Sequence, residues 1–139
     1  MTQSNTRAGS FPVLAGEDLT DKEGFLVQMT HDTGVPEVKL PAAITDITPY
    51  VVGEGSEDTG LSTVIPLEAE RNVRLKLKGT CNPGDKLVLA AIATGDSGKV
   101  RLIPTVGGTY RAIAIAEEAG VDGQLVMCRP CAIGNVLVS

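Results

Sequence analysis

Short β-type runs separated by turn residues, recurring about every 8–15 positions, constrain this chain more than any other feature. No long segment carries the 3.6-residue apolar period of an amphipathic helix. Residues 72–78 show the pattern best: Val73, Leu75 and Leu77 alternate with Arg74, Lys76 and Lys78. Successive side chains of a strand point to opposite faces, so this is a half-buried strand with one wet, basic face. Pro83-Gly84 makes a turn, and Lys86 to Ala93 then reads as a strand buried on both faces. After the turn at Gly95 to Gly98, Lys99 to Ile103 alternates again, and Pro104 ends it or marks a sheet edge. A turn at Gly107-Gly108 leads into a strand from Tyr110 to Ala116. One helical turn over Glu117 to Ala119, stopped by Gly120, is expected to follow. Asp122-Gly123 opens a strand from Gln124 to Cys128, and a last strand spans Cys131 to Val138. Upstream, Gly24 to Met29 follows a polar turn, and the acidic, glycine-rich Gly53 to Gly60 reads as a loop. The expected fold is all-β: a small β-barrel or β-sandwich over residues 13–139, preceded by an extended, flexible N-terminal arm over residues 1–12.

Composition narrows the functions such a domain can serve. At 139 residues the chain suits one domain with its own core. Aromatics are Phe11, Phe25, Tyr50 and Tyr110, with no Trp. That is too few rings for a base-stacking platform or for sugar-binding platforms. Net charge is −5, so the surface as a whole repels phosphates, and nucleic acid is not an expected partner. No apolar run is long enough to span a bilayer, and the polar start lacks the apolar core of a secretory signal.

Candidate chemistry is sparse. The single histidine, His31, lies in a turn-like stretch and is read as solvated. Cys128-Arg129-Pro130-Cys131 is a CxxC, but it joins two expected strands, with no helix N-terminus to lower a thiol pKa. A zinc site would need Cys81 and His31 to converge on that pair. The reading is a structural turn, with reduced thiols and neither metal nor cofactor. The acidic pairs Glu17-Asp18, Glu57-Asp58 and Glu117-Glu118 each lie in a polar turn and read as solvated surface. No catalytic constellation emerges, and the chain is expected not to be an enzyme.

Three stretches together resemble a known family. Ala15-Gly16-Glu17-Asp18-Leu19, followed by Gly24 and Val27, is similar to the opening strand of tailed-bacteriophage head decoration (capsid cement) proteins. Asn82-Pro83-Gly84-Asp85-Lys86-Leu87-Val88-Leu89 resembles their central hairpin. Arg111 to Val126, through Ile113, Ala116, Gly120 and Gly123, is similar to their closing segment, although Ala114 stands where the family carries glycine. The likeness covers roughly residues 13–138, with the three motifs in order.

The resemblance implies a β-tulip-like barrel that forms a homotrimer on the capsid exterior of the virion and clamps neighbouring major capsid subunits, after synthesis in the host cytoplasm. An N-terminal arm reaching the capsid or a sister subunit carries over to the first 13 residues. The candidate contact residues of the arm are therefore Thr2, Gln3, Ser4, Asn5, Thr6, Arg7 and Phe11. The basic face Arg74, Lys76 and Lys78, read from the residues themselves as a solvated strand face or a contact with an acidic sister subunit or larger surface, is added to them. Trimer formation is expected to bury apolar strands such as Leu87 to Ala93. The alternatives are a phage tail or baseplate β-domain acting as a binding module and, further off, a Cys/His metal-binding protein.

Overall fold

Ten strands form two closed or nearly closed sheets in a computed structural model that describes residues 9–139, with side chains for all of these except 132 and 133. The first five are β1 (Phe11–Ala15), β2 (Leu26–Thr30), β3 (Glu37–Lys39), β4 (Tyr50–Glu54) and β5 (Leu61–Pro66). They close a barrel in the order β1-β3-β2-β4-β5, and β1 runs parallel to β3 and antiparallel to β5. Val13, Ala15, Val27, Val38, Val52 and Val64 fill it, with Leu19 from the loop after β1. Branched side chains suit so narrow a pleated interior.

The remaining strands are β6 (Val73–Lys76), β7 (Lys86–Leu89), β8 (Val100–Leu102), β9 (Gly108–Ala116) and β10 (Leu125–Val138), in the order β6-β10-β9-β7-β8. The two edges of this sheet approach each other. Leu77 bridges Val100, and the Lys78 amide donates to the Val100 carbonyl at 2.8 Å. The sheet thus curls around a second core built from Leu75, Leu77, Leu87, Leu89, Val100, Ile113 and Val126. The strict alternation at 73–78 has the expected outcome on its apolar face, where Val73, Leu75 and Leu77 are buried; on the other face Arg74 and Lys78 are exposed and Lys76 is half-buried.

The two cores share a wall. In β2, Leu26 packs in the second core and Val27 in the barrel. In β4, Val51 and Val52 divide the same way. Adjacent residues on a strand face opposite sides, so both strands are buried on both faces. The turn at Gly24 stitches the wall. Its amide donates to the Val52 carbonyl at 2.9 Å, and its carbonyl accepts from the Lys76 amide at 2.9 Å. Gly24 has φ +82°, a conformation that glycine adopts without cost.

Several local expectations are corrected. The boundary expected between residues 12 and 13 falls inside β1, where Phe11 and Pro12 already pair with Val64 and Thr63. The apolar run from Lys86 stays a strand only to Leu89, and Ala91, Ile92 and Ala93 are exposed. Leu87 to Ala90 are covered by the chain's own core rather than by a partner. The expected helical turn at 117–119 does not form, and residues 117–118 make a bend. The CxxC is not a turn between two strands. β10 runs through it unbroken, with a register shift between Pro130 and Gly134 that absorbs the proline. Gly53 and Glu54, expected in a loop, belong to β4.

Candidate functional site

Strand β6 lies where barrel and second sheet meet. Its ladder to β10 pairs Lys76 with Leu125 and Arg74 with Met127, which leaves the side chains of 74 and 76 on the outer face. Arg74 is not a free cation. Its Nη1 donates to Glu118 Oε1 at 3.0 Å and to the Leu125 carbonyl at 3.2 Å. The same carboxylate oxygen accepts the Met127 amide at 3.0 Å. That amide, seconded by Arg74, holds the Glu118 carboxyl below its usual range.

Lys78 is also paired. Its Nζ lies 3.4 Å from Asp96, which takes Lys99 at 2.9 Å as well. Lys99, and Lys78 after it, keep the Asp96 carboxyl low. Lys76 makes no ion pair among the described residues. The basic face read from the sequence therefore exists as a geometric face, with two of its three charges offset by the chain's own carboxylates. Neither Glu118 nor Asp96 was legible as a partner, because each lies at least 18 residues away in sequence, on a different turn.

Beside β6 runs a groove of about 340 Å³ between the two sheets. Val51, Val52 and Ile65 come from the barrel side, and Val73 and Leu125 from the second sheet. Arg71, Arg74 and Glu23 stand at its rim, with Ser10 beside them. Phe11 follows immediately. It lies in β1, packs against the barrel core and meets Tyr50 edge-on, with ring centroids 5.5 Å apart. The other arm candidates, Thr2, Gln3, Ser4, Asn5, Thr6 and Arg7, lie outside the described residues.

The residues considered for chemistry are dispersed. His31 is exposed on the turn after β2, whereas Cys81 and Cys128 are buried in the second core. Burial pushes the Cys128 thiol up to about 12, with neighbouring Cys81 adding to the effect, and burial also raises Cys81. Cys131 is half-buried. The acidic pairs mostly hold structure. Glu17 accepts the Leu40 amide at 3.1 Å, Asp18 the Thr20 amide at 3.0 Å, and Glu117 binds Arg129 at 2.9 Å. Glu57 and Asp58 are exposed.

No family model matches this chain, and no curated protein is similar to it in sequence. Solved structures do match. The N base of the head fiber protein gp8.5 of bacteriophage phi29 superposes with a TM-score of 0.66 at 19% identity, over 90% of this chain and 95% of that one. The likeness shows that the two share a fold: a small all-β unit with a closed barrel and a second sheet.

Proposed function

We propose that this chain is a structural protein of a tailed-phage head, bound to the capsid exterior as a homotrimer and fastening neighbouring major capsid subunits. The observation that carries the reading is the shared fold with a head fiber base over nearly the whole of both chains. The ordered sequence motifs that resemble head decoration proteins point to the same particle by an independent route. The architecture suits the task. Two cores with a common wall make a rigid block, and such a block needs neither cofactor nor catalytic group to act as a fastener. Many copies on one shell act together, so modest contacts per copy suffice.

A second reading comes from the same match: the chain is the base on which a head fiber stands, without a clamping role. Cosedimentation of the purified protein with expanded, undecorated heads, with heat stability of the heads measured in parallel, tests both. Saturable binding that raises the temperature at which heads open supports the fastener. Binding without that gain supports the fiber base. No binding at micromolar concentrations ends both and favours a tail or baseplate module.

A further inference from the structure

The far end of the second sheet is a two-stranded ribbon. Gly108 to Arg111 of β9 pair with Asn135 to Val138 of β10, and β7 reaches β9 only from Ala112 onward. On the other side, β6 accompanies β10 only as far as Cys128. Among the described residues, both outer edges of the ribbon are therefore unpaired. A lone two-stranded ribbon in water is marginal. This one is nevertheless well formed at its tip, where the Tyr110 hydroxyl donates to the Val106 carbonyl at 2.9 Å.

Its surface is unusual for this chain. Leu137 is 76% exposed and Val106 69%, the two highest exposures among the large apolar side chains of the described residues. Tyr110, Val136 and Val138 are half-exposed on the opposite face. A fifth of the residues are charged, yet 104–111 and 130–138 hold Arg111 alone. The buried Nε of that arginine has no acceptor among the described residues. Natural sheet edges that stay in solvent are guarded by charges, bulges or covering loops. Among the described residues of this ribbon the only such devices are the register shift before Gly134 and the single charge of Arg111, which pairs with Asn135.

We infer that the β9–β10 ribbon is the interface through which copies of this chain join, strand edge to strand edge. Charge selects a second copy as the occupant. Each copy carries −5, so like copies repel across most of their surface and least across a ribbon whose single charge is the cationic Arg111. The ribbon also presents two different edges, one from β9 and one from β10. Pairing the β10 edge of one copy with the β9 edge of the next is a heterologous contact, and such contacts form a ring when the rotation between copies closes and an open filament when it does not. This deepens the homotrimer proposed above and rests on it.

The test uses the full chain, with Leu137→Lys and Val106→Lys as separate variants. Both side chains are largely exposed, so each variant should keep the wild-type circular dichroism spectrum. Sedimentation equilibrium should show a trimer for the wild type and at least a tenfold rise in the concentration at which each variant dissociates. Hydrogen exchange at amides 135–138 of the wild type should slow as concentration rises. Wild-type trimers with unshifted variants, or exchange independent of concentration, would overturn the inference. A monomeric wild type would overturn it together with the trimer. A trimer that depends on the ribbon but ignores phage heads would sustain it while ending the capsid reading.

Discussion

Glu118 holds Arg74 and the backbone of β10 with one oxygen: the guanidinium and the Met127 amide both reach Oε1 at 3.0 Å. The carboxylate is thus a clip between β6, β10 and the bend that precedes Gly120. Its lowered pKa is the thermodynamic signature of that clip. A carboxyl whose folded pKa lies below its unfolded value stabilises the fold above the unfolded pKa, and loses that contribution as pH falls through the folded one. Asp96 and Asp18 are shifted in the same direction. Thermal stability should therefore be level near neutrality and fall below about pH 4, where such carboxyls take up protons. Glu118→Gln should melt lower than wild type at pH 7, and the gap should narrow at pH 3. Melting curves across that range check it, and a gap that widens in acid would count against the clip.

The wall shared by the two cores predicts cooperativity. Leu26 sits on a barrel strand but is fully buried against the second sheet, and its amide bonds to the Gly98 carbonyl at 2.8 Å. Leu26→Ala should cost about 2–5 kcal/mol, the range for emptying a large buried aliphatic site. The loss should appear in one unfolding transition rather than in one half of two. Calorimetry with matched van't Hoff and calorimetric enthalpies for both proteins is the check. Two separable transitions would mean that the wall does not couple the halves.

Gly98 offers a second test of the same seam. It has φ +92°, and a Cβ there would stand 2.8 Å from the Leu26 carbonyl oxygen, which is backbone and has little freedom to retreat. Gly98→Ala should destabilise by about 1–3 kcal/mol through backbone strain together with crowding. Urea titration of the variant should show a lower midpoint. An unchanged midpoint would show that the seam has slack.

Much of the second sheet was legible in the sequence, because its strands alternate cleanly and Gly-rich turns separate them. β6 announced both its buried and its exposed face. The run from Gly24 to Met29 was visible as well, although periodicity alone does not say that Leu26 and Val27 belong to two different cores. The barrel was harder to see. β3 is three residues long and follows Pro36, β4 incorporates Gly53, and β5 ends on Pro66, so each falls below the length or composition that marks a strand. The CxxC misled for a related reason. Pro130 looks like a turn former, but a register shift in a long strand accommodates it equally well. The ion-pair partners of the basic face were invisible, because they are set by tertiary contacts.

The thiols should report the fold directly. Cys81 and Cys128 are 4% and 0% exposed, and burial raises both pKa values, so neither offers much thiolate near neutral pH. Cys131 is the most accessible of the three. A disulfide-exchange reagent at pH 8 should titrate one thiol quickly in the folded protein and all three in denaturant. Cys131→Ser should abolish the fast phase. A fast phase that survives this substitution would show that the second core opens readily.

Lys76 separates a docking role of the basic face from a purely structural one. Arg74 and Lys78 are each engaged by a carboxylate of this chain, so removing either changes an internal contact as well as any external one. Lys76 has no ion pair among the described residues, and it lies beside the groove lined by Arg74 and Leu125. Lys76→Glu should leave the melting temperature within a degree or two of wild type, since isolated surface charges contribute little. If β6 faces the capsid, the same substitution should weaken binding to expanded heads several-fold, and more so at low ionic strength, where the reversed charge is least screened. Rescue by Lys76→Arg would identify charge as the cause. Unchanged head binding by the Lys76→Glu protein at low salt would remove β6 from the contact surface and leave the rest of the exterior to be searched.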